Sequence, residues 1–165
     1  MNPTRVPGMP VELRLDARRV VLVGAGAARR VDALLESGAR VDADAADLSG
    51  AFLVMHTVTP TGPVSLEDAE ALRARCRASG AWLWVEDRPD LSDITLPALL
   101  EIGPVRLAVS TGGRSSALAR AVRDALRPLL GAPFAAWAED ALSRRLGRPR
   151  GRFSGRFEAL PPEDE

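Results

Sequence analysis

The chain has 165 residues, 46% hydrophobic and 27% charged, enough for one domain with a small helical appendage and too few for two full enzymatic domains. Its 22 basic and 22 acidic side chains cancel, so no overall field selects nucleic acid or an anionic membrane. Every basic residue is Arg, which excludes a Lys Schiff base or a P-loop Lys; the single Cys76 excludes a disulfide framework or a Cys-rich metal site within one chain.

The opening MNPTRVPGMP carries no apolar h-region, so no secretory signal is expected there. From Arg18 to Val23 runs a short β-branched strand, ended by Gly24-Ala25-Gly26; parallel strands covered on both faces read as continuous apolar runs of this kind. A helix follows from Ala27, with Val31, Leu34 and Leu35 on one face and Gly38 as its stop. Ala39-Arg40-Val41 starts a second strand that the polar stretch Asp42 to Gly50 cuts short. Ala51 to Met55 reads as a third strand and is the longest clean apolar stretch, far below the roughly 20 residues of a membrane span. Together these features lead to the expectation of a cytoplasmic protein.

Ser65 with Asp68 makes a capping-box-like start for a helix whose inner face is Ala69, Leu72 and Cys76, stopped by Gly80. Trp82 to Val85 is a fourth strand, leading into Glu86-Asp87-Arg88-Pro89-Asp90. After the segment Leu96 to Ile102, Val105 to Ser110 forms another strand and meets a Gly-rich turn, Thr111 to Ser116. The next helix shows Leu118, Ala121, Val122, Ala125, Leu126 and Leu129 at helical spacing. Pro133 opens a last helix, with Phe134, Trp137, Ala138, Ala141 and Leu142 inward. The tail, basic from Arg144 and acidic at Glu163 to Glu165, is expected to be disordered. Alternating strands and helices predict an α/β fold with a reduced, Rossmann-like parallel sheet, then a dimerisation region and a C-terminal helical segment.

Four places carry chemistry. Gly24-Ala25-Gly26 is a strand–turn–helix bend of the type that brings backbone N–H groups to a pyrophosphate, although the third glycine of the fingerprint is absent. A tight turn without ligand explains the same residues. Asp42 and Asp44 lie near the position of a ribose-binding acid, or are solvated loop acids. Ser110-Thr111-Gly112-Gly113-Arg114 converges hydroxyls, glycines and a guanidinium on one turn and suits an anion, against the plain reading of a glycine turn with an N-cap. Asp87 follows a buried strand, where carboxylates face the ligand crevice of parallel sheets, or it caps its own loop. His56, the single histidine, points toward that edge and reads as a hydrogen-bonded structural residue rather than a metal ligand.

The order of these segments resembles the precorrin-2 dehydrogenase/sirohydrochlorin ferrochelatase family, the module also found at the N-terminus of siroheme synthase. MPVELRLDARRVVLVGAG, LLESGARV, DLSGAFLV, WVEDRPDLSDITLPALL and GPVRLAVSTGGRSSALARAVRDAL carry the likeness, from about Met9 to Leu130. The resemblance implies NAD-dependent oxidation of precorrin-2 to sirohydrochlorin, with ferrous iron insertion in some members, by a homodimer acting on a polycarboxylated tetrapyrrole. It implies a catalytic role for Asp87 and a substrate role for Ser110 to Arg114, where a guanidinium suits carboxylates. NAD is expected on Gly24, Ala25, Gly26 and Asp42, and no metal site, nucleic acid or membrane partner is expected. The implied organisation is a nucleotide-binding domain over 9–95, a dimerisation region over 96–130, a helix over 131–147 and a tail over 148–165.

The chain also departs from the family. Its glycine turn is about two residues shorter, the stretch from Val41 to Leu48 lacks roughly a strand and its connections, His56-Thr57-Val58-Thr59 replaces a Thr-Asp-Asp pattern, and Ser92 stands where a cysteine is common. Two other readings therefore stand beside the dehydrogenase: an NAD-independent chelatase or tetrapyrrole-binding homologue, and a non-catalytic dimeric scaffold.

Overall fold

In the computed structural model, residues 8–145 are described, apart from 27, 44, 59–61 and 63. Asp44 and the tail beyond Arg145 therefore lie outside the described residues. Strands β1 (Arg19–Val23), β2 (Arg40–Asp42), β3 (Ala51–His56) and β4 (Trp82–Val85) form a parallel sheet in the order β2-β1-β3-β4. Helix α1 (Ala28–Glu36) joins the first pair, and α2 (Leu66–Ser79) joins β3 to β4. This is an α/β, Rossmann-like sheet in reduced form.

The apolar runs form strands because both faces are covered. Val21, Val54, Leu83 and Val85 pack with Ala69, Leu72 and Cys76 of α2. The intervening residues Val20, Leu22, Leu53, Met55 and Trp84 face the other way and pack with Leu34 of α1. Alternation across the pleat thus feeds two cores from one sheet. The face of α1 is narrower than its spacing suggests: Val31 and Leu34 pack, while Leu35 is exposed. α2 starts where the capping pattern places it, the Ser65 side chain accepting from Asp68 N–H at 3.0 Å.

β4 forms one margin of the sheet, and its outward backbone groups are occupied by the chain that follows. Leu83 N–H donates to Asp93 Oδ2 and Val85 N–H to Ser92 Oγ, both at 2.9 Å, while Asp93 N–H donates to Leu83 C=O at 2.7 Å. Ser92 thus caps the backbone of this margin strand.

A second compact unit begins in sequence at Leu96. The segment left untyped by its sequence becomes β5 (Ala98–Ile102), an antiparallel partner of β6 (Val105–Val109) through a Gly103-Pro104 turn. Ile102 pairs with Val105, a two-residue hairpin in which Gly103 supplies a φ of +53°. Helices α3 (Ser116–Leu129) and α4 (Ala132–Arg145) complete the unit. One expectation needs correction here, on α4. On α3 it is Ala119 that is buried, whereas Leu118, Ala121, Val122, Ala125 and Leu129 are exposed. On α4 Ala138 is buried, but Leu142 is exposed rather than inward.

Candidate functional site

Parallel strands deliver their carboxyl ends to one edge. Here that edge collects the glycine bend after β1, His56 to Val58 at the end of β3, and Glu86-Asp87 after β4. With β3 between them, the tips of β1 and β4 are about 10 Å apart at ordinary strand spacing. Asp87 and the glycine bend therefore share an edge, as a crevice at the strand ends requires.

Asp87 is exposed and takes a φ of +57°, the left-handed region that L side chains avoid. Among the described residues the other non-glycine with positive φ is Ala17, in the turn before β1. The turn is held by Glu86 N–H donating to His56 C=O at 2.8 Å and Arg88 N–H to Val85 C=O at 3.2 Å. Arg88 is occupied by Asp90 through a paired contact (2.9 and 3.1 Å), which lowers the Asp90 carboxyl.

Glu86, which sequence reasoning passed over, faces inward. Its Oε2 accepts from Val58 N–H at 3.0 Å and its Oε1 lies 3.5 Å from Arg30 Nη2. The Arg30 guanidinium sits 4.3 Å from the centre of the Trp84 ring, a cation–π stack on the edge strand. The one available signal was a second carboxylate adjoining Asp87.

At the glycine bend, Gly24 has a φ of +100°, and a Cβ there would stand 2.5 Å from Thr57 C=O, so this glycine answers a close approach between two strand ends. Ala25 N–H donates to Val58 C=O at 2.8 Å and Gly26 N–H to Thr57 Oγ1 at 3.0 Å. Thr57 is fully buried, and its hydroxyl donates in turn to Val23 C=O at 3.0 Å. Asp42 lies at the end of β2, where Oδ2 accepts from Nε and Nη2 of Arg19 at 3.0 and 2.6 Å. Register matches Asp42 with Val21 and Arg40 with Arg19, so the acid and Arg19 occupy the same sheet face.

His56 is buried at the end of β3, and burial pushes its pKa down, opposed in part by Asp68. Its Nδ1 is buried without a hydrogen-bond partner among the described residues. Cys76 is buried under the sheet, its thiol pushed up to about 11 by burial, with Asp93 adding to the rise. That makes it an inert core residue.

In the second unit, the turn Ser110 to Arg114 is bonded internally. Thr111 Oγ1 accepts from Ser115 N–H at 2.9 Å and donates to Ser115 C=O at 3.0 Å, while Ser110 Oγ accepts from Gly112 N–H at 3.1 Å. Gly112 and Gly113 have φ of +63° and +74°. Ser115 caps α3 by accepting from Leu118 N–H at 3.1 Å, and the Arg114 side chain is exposed.

Known proteins match this arrangement. The chain is 32% identical over 168 residues to a siroheme synthase of Nitrosomonas europaea, covering 88% of this chain and 35% of that protein. It is 31% identical over 180 residues to siroheme synthase 1 of Halorhodospira halophila, covering 94% and 35% respectively. Among solved structures, SirC, a precorrin-2 dehydrogenase, superposes with a TM-score of 0.65 at 20% identity, over 84% of this chain and 79% of that one. Over most of its length the chain is related to the siroheme synthases. No family model matches it. It spans about a third of the length of the siroheme synthases it matches.

This relatedness invites a test of whether the bend fits a dinucleotide. The described amides of the bend, Ala25 and Gly26, are already paired within the protein, and the space beside Gly24 is filled by Thr57. The opening turn of α1 carries no acidic residue to oppose an anion at the helix start. The donor chemistry thus fits an anion at the start of the helix rather than on the bend's own amides.

Proposed function

We propose that this protein oxidises precorrin-2 to sirohydrochlorin in siroheme biosynthesis, with NAD as the hydride acceptor and Asp87 as the residue that receives substrate protons. The observation that carries the reading is Asp87 itself: an exposed carboxylate held at positive φ on the carboxyl edge of a parallel sheet. Backbone strain of this kind persists where its surroundings over-determine it, and such positions cluster at reactive sites. The likeness to siroheme synthases supports a tetrapyrrole substrate. NAD, when bound, takes the hydride.

In this reading the first turn of α1 holds the nucleotide phosphates, and the glycine bend, braced by Thr57 and Val58, keeps that turn at the sheet edge. In the same proposal Asp42 serves the ribose and the turn from Ser110 to Arg114 serves substrate carboxylates, with Arg114 its exposed charge. Residues 9–95 then serve as the nucleotide-binding domain, 96–130 as the dimerisation region, and 131–147 as the C-terminal helix. The exposed stripe Leu118, Val122 and Leu129, with Leu99, supports a homodimer. No helix among the described residues is long and apolar enough to cross a membrane, which accords with a cytoplasmic enzyme.

The test is turnover of precorrin-2 followed by NADH absorbance. Asp87→Ala and Asp87→Asn should each lower kcat by about 100-fold or more, with the oligomeric state unchanged. Retention of wild-type turnover in both would remove Asp87 from the chemistry.

A second reading has a specific observation in its favour. The internal pairing of the Ala25 and Gly26 amides suits a homologue that binds or metallates the tetrapyrrole without NAD. Calorimetric titration separates the two. Binding of NAD supports the dehydrogenase; sirohydrochlorin binding or cobalt insertion with no NAD uptake supports the alternative.

A further inference from the structure

We propose that Glu86 is a positioning residue that fixes Asp87 against the glycine bend. The inference rests on the reading that Asp87 carries the chemistry. Two groups from different elements meet the Glu86 carboxylate, whose side chain is only 12% exposed. It accepts from Val58 N–H at the end of β3, and Val58 C=O accepts from Ala25 N–H in the bend after β1. Its other oxygen faces Arg30 of α1, which stacks on Trp84 of β4. One residue, Val58, and one carboxylate therefore link the tips of β1, β3 and β4 to the first turns of α1.

Asp87 is the next residue in the chain, and its left-handed φ needs a restraint, since an L residue in a free loop relaxes to negative φ. Glu86 supplies that restraint from both sides: its N–H is tied to His56 C=O and its carboxylate to Val58 N–H. A loosened Glu86 lets the Asp87 carboxylate swing relative to α1, and displacements of about 1 Å are enough to lower a rate severely. Glu86 touches neither substrate nor cofactor in this scheme; it acts through Asp87.

The experiment compares Glu86→Leu, which keeps volume but removes the acceptor, with Glu86→Gln, which keeps an oxygen for Val58 N–H. Glu86→Leu should lower kcat at least about tenfold while KM for precorrin-2 stays within about twofold. Exchange of the Val58 and Ala25 amides, followed by NMR, should accelerate about tenfold in the same variant. Glu86→Gln should return both readouts to within about threefold of wild type, because the shared hydrogen bond survives. Unchanged kcat in Glu86→Leu, or unchanged Val58 exchange, overturns the proposal, as does a fall in stability with no split between kcat and KM.

If Glu86→Leu does not fold, Arg30→Met removes the facing charge and should give a smaller drop in kcat with faster Val58 exchange; wild-type values for both would overturn the proposal. Absence of precorrin-2 turnover in the wild-type protein would instead defeat the underlying functional reading. Amide exchange would still decide whether Glu86 braces the bend.

Discussion

The two units of this chain solve burial differently. In the parallel-sheet unit each strand feeds two cores, and Val20, Val21, Val54 and Leu83 are completely buried. In the hairpin-and-helix unit the buried apolar residues described are Leu100, Ile102, Ala119 and Ala138, while Leu118 and Leu129 of α3 are 55% and 69% exposed. A helix with apolar residues at 118, 122, 125 and 129 has the spacing of a packing face, yet the single chain leaves that face in water. The first unit is a core complete within itself; the second carries the surface on which association is proposed.

Mutations sharpen the contrast. Leu83→Ala, at a fully buried position in β4, should cost about 3 kcal/mol in urea unfolding, through lost transfer energy and the cavity left behind. The double change Leu118→Glu with Val122→Glu should leave the unfolding free energy of the isolated chain within about 0.5 kcal/mol. It should also weaken self-association about 100-fold, measured by light scattering after size exclusion. Equal effects of the two changes on monomer stability would erase the distinction between the units.

Within the first unit, Asp87→Gly should raise stability by about 1 kcal/mol, since glycine accepts the left-handed backbone, while removing turnover. The smallest effect expected is the pH dependence from His56. Its folded-state pKa is pushed below the usual 6.5 by burial, so the unfolded chain binds the proton more readily. Stability should be at its plateau above 6.5 and decline as pH falls through that value toward the lower folded-state pKa. Replacement by a non-titrating residue, His56→Gln, should flatten that slope in urea titrations at successive pH values.

Much of the first unit was readable in the residues because strands buried on both faces leave continuous apolar runs: β1 and β4 fall within the runs Arg18 to Val23 and Trp82 to Val85. Pairing was less readable. Ala98 to Ile102 is short and apolar, a pattern that strand and helix share, and its fate was settled by the Gly103-Pro104 turn that folds it onto β6. Helical spacing on α3 announced a packing face but not what packs on it. At the site, the positions of Asp87 and the glycine bend follow from parallel topology alone. The Asp42–Arg19 pair and the inward turn of Glu86 depend on cross-strand register and on one left-handed residue, neither of which is written in local composition.

The seam that Ser92 and Asp93 make along β4 has a consequence for crowding in the cell. An unprotected sheet margin is a template on which a stranger's backbone can zipper, the first step toward fibres. Here Leu83 and Val85 have their outward amides filled by side chains of the same molecule, so that template is closed before a second molecule arrives. Ser92→Ala together with Asp93→Ala would reopen it, and the price would be read as turbidity rather than as lost catalysis.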